Sequence, residues 1–245
     1  MPYCPECGNQ MTGAELHCPA CGQPTASPPP VLEPSPGRGP QSLPLSDYFK
    51  TGWGLFKQYY NGFVGFCLLN LVIQVALHSI PYVGAVASAA VSAPLFMGNF
   101  IVSAKLLHGQ TPEFRDFFEG FQYFLPLLLL SLVAGLFIGI GTILLVIPGI
   151  YLAVAYLFAS YLVVDRRLDF WPAMELSRLT VNPRWFGYFA FVLLLALLNL
   201  AGALLLGLGL LVTIPLSFCT VTAAYADLFG FQSDETQEGS KLTTF

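Results

Sequence analysis

Four cysteines near the start of the chain, Cys4, Cys7, Cys18 and Cys21, form two knuckles, each written Cys-Pro-x-Cys-Gly. Two thiolates at that spacing grip one ion from a single tight turn, because the following glycine lets the backbone bend and turn N–H groups toward sulfur. Four soft sulfur ligands suit Zn²⁺ and fill its tetrahedral shell. A closed shell leaves no position for water or substrate, so the expected metal site is structural, not catalytic. His17 lies beside Cys18, but the four-thiolate set is complete without it.

A module of some two dozen residues cannot bury enough apolar surface to fold alone. Metal binding, worth on the order of 10 kcal/mol in zinc fingers, must supply most of its folding free energy. Residues 2–24 resemble the short zinc ribbons built on CPxCG knuckles. That likeness implies an interaction or assembly module that recruits a protein partner. A thiolate site survives best in a reducing cytosol, which predicts a cytoplasmic ribbon.

The chain beyond the ribbon is of a different composition. The 245 residues are 55% hydrophobic and only 10% charged, with mean hydropathy +0.66, whereas an ordinary soluble domain is about 25% charged. An all-α integral membrane protein is expected, with the lipid bilayer as its solvent. The net charge of -4 comes without the basic clusters that a nucleic-acid surface needs, so no nucleic acid is expected as a partner. The first residues contain no apolar signal segment, and the N-terminus is expected to stay where it was made.

Three uncharged runs, Gln58 to Ala104, Gly120 to Val164 and Trp185 to Ala226, are each long enough for two crossings at about 20 residues per span. Each is broken near its middle, at "HSIPYVG", "VIPGI" and "GLGLL". Pro and Gly there end one helix and begin the next, predicting six transmembrane helices as three hairpins. An amphipathic stretch precedes each hairpin: "LSDYFKTGWGLFKQYY", "TPEFRDFFEGFQYF" and "DFWPAMELSRLTVNPRW". In the first, Leu45, Tyr48, Phe49, Gly52, Trp53, Phe56 and Tyr60 share a face. In the second, Phe114, Phe117, Phe118 and Phe121 form the stripe, with Thr111 as the expected cap and Pro112 just inside it. Aromatics opposite charges suit helices lying in the headgroup layer. Two later spans echo each other, "PLFMGNFIVSAKLLHG" and "PLSFCTVTAAYADLFG", and the whole reads as three copies of one unit.

All ten Lys and Arg fall on the side of the termini if each run is a hairpin, which makes that side cytoplasmic by the positive-inside rule. The expected organisation is therefore a zinc ribbon at 1–24, a Pro-rich linker at 25–44, a six-span domain at 45–230 and a disordered cytoplasmic tail at 231–245. The expected location is the cell (inner) membrane, multi-pass, with both termini in the cytoplasm.

Chemistry within the spans is sparse. No Asp, Glu, Lys or Arg lies inside the three runs, so the usual flag of an ion or proton pathway is missing. Asn70, Gln74 and His78 recur every four residues on one face, where they line a polar path or hydrogen-bond between helices. Asp165, Arg166, Arg167, Asp169, Glu175, Arg178 and Arg184 crowd one loop, as solvated topology signal or as a lipid-headgroup site. Cys67 and Cys219 sit alone in apolar runs as small hydrophobes. No Ser-His-Asp order, HExxH, Walker loop or dinucleotide fingerprint is present, and no enzyme is expected.

Residues 45–230 resemble the multi-pass membrane domains of prokaryotes that include the one attached to some glycerophosphodiester phosphodiesterases. The resemblance rests on "VIPGIYLAVAYLFASYLVVDRRLDFWPAMELSRLTVNPRW" and "TIPLSFCTVTAAYADLFG". The phosphodiesterase catalytic domain has no counterpart in these residues, so its activity is not implied. The expected function is a non-enzymatic membrane scaffold or regulator whose zinc ribbon recruits a partner. The alternative is a transporter or export component with the ribbon as docking or gating element.

Overall fold

The computed structural model describes residues 43–80, 83–205 and 207–231. The chain divides into two units, Met1–Gly39 and Pro40–Phe245, and every described residue belongs to the second. Cys4, Cys7, Cys18 and Cys21, with the expected ribbon and nearly all of the linker and tail, lie outside the described residues.

The described residues are helical, with no strand among them. Among the described residues six stretches are long and apolar enough to cross a membrane: Tyr60–His78, Ala87–Leu107, Phe114–Leu144, Val146–Asp165, Phe170–Leu204 and Leu210–Phe229. They make three hairpins, as the uncharged runs predict.

Helix α1, Leu45–Gln58, carries Asp47 in its first turn and Lys57 in its last, each matched to the nearby end of the helix dipole. Tyr59 leaves helical geometry at φ -132°, ψ 37°, and the kink leads into α2, Tyr60–His78. Helix α3, Val83–Leu107, holds Pro94 in its interior and is followed by Gly109 at φ +68°. The second hairpin consists of α4, Phe124–Leu144, then α5, Val146–Ala155, and α6, Ala159–Asp165. Leu145, extended at φ -159°, ψ 131°, makes the turn between α4 and α5. The third has α7, Phe170–Val181, the short 3₁₀ turn Asn182–Arg184, α8, Trp185–Leu204, and α9, Leu210–Phe229. Its turn contains Gly207 at φ +75°, so the break read from "GLGLL" is a real chain reversal.

The echo between the two later spans has a physical counterpart. Pro94 and Pro215 both lie inside helices, and Gly109 and Gly230 both end them at φ +68° and +65°. The prolines do not start their spans as the echo implied. Helix α3 begins at Val83 and α9 at Leu210, where the preceding turns place the chain.

Two further expectations are corrected. The second amphipathic stretch is a 3₁₀ helix, Phe114–Tyr123, not an α-helix capped by Thr111. Proline at 112 pushes residue 111 away from helical geometry, and the element starts later through a reciprocal cap between Glu113 and Asp116. The backbone N–H of Glu113 donates to the Asp116 carboxylate at 2.8 Å. Its aromatic stripe is also split. Phe117 is fully buried, stacked on Phe66 with ring centroids 4.3 Å apart, while Phe114, Phe118 and Phe121 remain exposed. Second, the span after "VIPGI" is interrupted between α5 and α6. Ser177 of α7 enters the gap: its hydroxyl donates to the Ala155 carbonyl at 2.8 Å and accepts from the Phe158 N–H at 3.2 Å. A side chain inserted in the helical ladder is a recognised cause of such breaks.

The hairpins are arranged asymmetrically. The leading spans have 17%, 11% and 22% of their most apolar windows buried inside the protein, against 56%, 44% and 50% for the trailing spans. So α3, α5–α6 and α9 form the interior, and α2, α4 and α8 present their flanks outward. The interior is aromatic: Phe100 and Phe158 each pack on Tyr161 and Tyr225, and the two tyrosines stack on each other, with ring centroids no more than 6.2 Å apart in each pair, geometries that add about 0.5–1.5 kcal/mol per pair beyond burial.

Close approach sets α3 against the 3₁₀ helix. A Cβ at Gly98 would run into the Phe117 carbonyl, and one at Gly120 into the Pro94 carbonyl. Only glycine lets these backbones touch.

Candidate functional site

The charged residues gather where α3, the 3₁₀ helix Phe114–Tyr123, α6 and α9 end together. Lys105, near the end of α3, bridges Asp116 and Glu119 at 3.0 Å each. Asp116 is buried, so its charge depends on that ammonium and on the Glu113 N–H. On the opposite wall the Tyr225 hydroxyl donates to Asp165 at 2.7 Å. Arg166 donates to the Phe229 carbonyl at 2.7 Å, its guanidinium over the Phe229 ring. From α1, the Tyr48 hydroxyl donates to Asp227 at 2.7 Å. Burial, and then that hydrogen bond, pushes the Tyr48 hydroxyl far above the ordinary phenol range, which keeps it a proton donor.

Between these walls opens a cleft of about 730 Å³. Phe100, Ile101, Val164 and Phe231 give it an apolar floor, and Lys105, Glu119, Asp165 and Arg167 its charge, with His108 beside them. The Nδ1 of His108 lies 2.7 Å from the Ala104 carbonyl. Because a carbonyl only accepts, that nitrogen carries the hydrogen. Arg167 is the one non-glycine residue with positive φ among the described residues, at 51°.

No protein-family model, curated protein or solved structure matches this chain.

Of Asn70, Gln74 and His78, only Gln74 bonds a neighbouring helix through its side chain among the described residues. The Ser88 hydroxyl of α3 donates to the Gln74 side chain of α2, and Asn199 of α8 donates to Ser217 of α9 at 2.8 Å. His78 bonds the Gln74 carbonyl within its own helix. Asn70 is buried, and its side-chain oxygen has no partner among the described residues. The charged residues expected in one loop are spread over several elements: Glu175 and Arg178 lie in α7, where Arg178 grips Glu175 with two hydrogen bonds of 3.0 and 2.6 Å, while Asp165 ends α6 and with Arg166 ties it to α9. Arg167 alone of that loop faces the cleft together with Asp165. Cys67 is half-buried and Cys219 buried, both as free thiols, the latter 3.3 Å from the Ser103 hydroxyl. Among the described residues no group of three His, Cys, Asp or Glu is placed to hold a metal.

Sequence reasoning missed the Lys105–Asp116–Glu119 triad, the Tyr48–Asp227 pair and the Ser177 insertion. None follows a helical or strand period, so periodicity carries little trace of them. The one available signal was that Lys105 and Glu119 bound uncharged runs on facing sides of a short loop, where opposite charges meet.

Proposed function

We propose that the chain is a non-enzymatic scaffold or regulator of the prokaryotic cell (inner) membrane, whose cytoplasmic zinc ribbon recruits a protein partner. On this reading Cys4, Cys7, Cys18 and Cys21 hold a structural Zn²⁺, both termini are cytoplasmic, and the amphipathic segments lie at the headgroup layer. The kinship of residues 45–230 with prokaryotic multi-pass membrane domains belongs to the same proposal.

One observation carries the preference over transport. Two polar pairs within the spans link neighbouring helices, Gln74 with Ser88 and Asn199 with Ser217. A transporter needs polar groups held for its cargo; a scaffold needs them only as glue. The closed ligand set of the ribbon fits the same view, since a metal without an open position serves folding and recognition.

The test compares three forms purified from membranes: the full chain, a form lacking residues 1–24, and Cys4→Ser. Deletion is expected to leave membrane insertion and thermal stability unchanged while abolishing capture of one stoichiometric partner, and Cys4→Ser is expected to lose it equally. If the bundle unfolds without the ribbon, or the co-purifying proteins stay the same, the scaffold reading fails and the transport alternative takes its place.

A further inference from the structure

We infer that the cleft at the charged end of the bundle binds a phosphate group, with Arg167 as its cation and Gln110, Gln122 and Tyr123 as neutral donors. All four side chains line the same cleft. None of these side chains has an ion pair or hydrogen bond among the described residues.

The carboxylates that share the cleft are differently placed. Glu119 is held by Lys105 at 3.0 Å, and Asp165 receives the Tyr225 hydroxyl at 2.7 Å. Lys105 and Arg167 balance Glu119 and Asp165 in formal charge along the cleft, but both acids are engaged within the bundle, while the Arg167 guanidinium and the N–H and O–H groups of Gln110, Gln122 and Tyr123 are unspent among the described residues. That is the complement of an anion with several acceptor oxygens, and guanidinium recognises phosphate oxygens through its planar fork. The backbone of Arg167 points the same way. A non-glycine residue at φ 51° is held in a sparsely populated conformation, a kind of strain that clusters at binding sites.

The apolar floor formed by Phe100 and Phe231 adds a second requirement, that the phosphate carry an organic substituent. A phosphodiester lipid headgroup and a soluble phosphate monoester both meet it. The position of the cleft at the end of the candidate spans is where a headgroup would be presented. Binding in the cleft needs nothing from the ribbon and is expected to persist in protein stripped of metal by a chelator.

The test uses the full chain in detergent, with phosphatidylglycerol added in mixed micelles and retained lipid read by native mass spectrometry. A second arm adds glycerol 3-phosphate or inorganic phosphate as competitor. Arg167→Asn is the chosen variant, because asparagine adopts the left-handed conformation readily. Arg115→Gln removes an exposed charge outside the cleft. Arg167→Asn is expected to weaken retention about tenfold, while Arg115→Gln changes it less than about twofold. Competition by the soluble phosphates would assign the site to a soluble ester, and its absence to lipid; either outcome supports a phosphate site. Equal behaviour of Arg167→Asn and wild type, or equal loss in Arg115→Gln, overturns it. Gln122→Glu places a carboxylate in the cleft at an exposed position, and its failure to weaken binding would overturn the inference even if Arg167→Asn did not fold.

Discussion

The Tyr225 hydroxyl donates to the Asp165 carboxylate at 2.7 Å and so ties the end of α9 to the end of α6. Beside it, Arg166 donates to the Phe229 carbonyl at 2.7 Å, so two adjacent residues at the end of one helix clasp a single turn of another. Hydrogen bonds to charged groups contribute about 1.5–3 kcal/mol. Tyr225→Phe is therefore expected to destabilise the bundle by about that much, while keeping the ring that packs against Phe100 and Tyr161. Thermal unfolding in detergent measures it. An unchanged midpoint would show that the clasp contributes nothing.

The contact between α3 and the 3₁₀ helix makes a sharper demand. Gly98→Ala would drive a methyl group into the Phe117 carbonyl, and overpacking of this kind costs about 1–3 kcal/mol. Gly54, in α1, has nothing within 4 Å of its would-be Cβ, so alanine there gains helix propensity of about 0.5–1 kcal/mol. Opposite signs are expected for one substitution type at two positions. Equal effects would mean the backbone approach at Gly98 relaxes freely.

Six spans and three breaks were legible because they depend on local composition. A forty-residue run without charge has few alternatives, and the Pro and Gly in its middle act on their own backbone. The shift of the second amphipathic element was harder to read, since Pro112 offered itself as a first helical residue and the cap that won, between Glu113 and Asp116, lies outside the usual Ser/Thr pattern. The break between α5 and α6 was invisible: "LAVAYLFASYL" is a good helical sequence, and only Ser177, brought alongside by α7, opens it. The cleft was half legible. The loop around Asp165 and Arg167 stood out by its charge, but Gln110, Gln122 and Tyr123 carry no charge and reach it through the fold.

The metal reading gives a direct measurement. Purified protein is expected to contain one zinc per chain, lost in Cys4→Ser or Cys18→Ser, because three thiolates leave the shell open and cut the folding free energy of the module. Elemental analysis decides it. Absence of metal, or iron in a coloured sample, would end the zinc-ribbon reading.

Topology is tested by reporters fused after residue 40, near Gly149 and at the C-terminus. The Gly149 fusion sits in the first turn of α5, just past the reversal at Leu145, and is expected on the far side of the membrane from the other two, because the basic residues lie toward the termini. A terminal reporter active in the periplasm would refute the six-span arrangement with cytoplasmic ends.

The difference between outward and interior spans bears on how the chain reaches the bilayer during synthesis. In each hairpin the helix made first is the more apolar, with mean hydropathy 1.6 against 1.5, 2.6 against 1.9, and 2.1 against 1.4 for its follower. The leader can enter lipid on its own account, and the follower, richer in polar and small residues, arrives to find a protein surface already waiting. Insertion as three successive pairs is the expected order of biogenesis. The interior closes only when α9, the last helix made, brings Tyr225 to Asp165, so a nascent chain halted before that point has its leaders inserted and its clasp open.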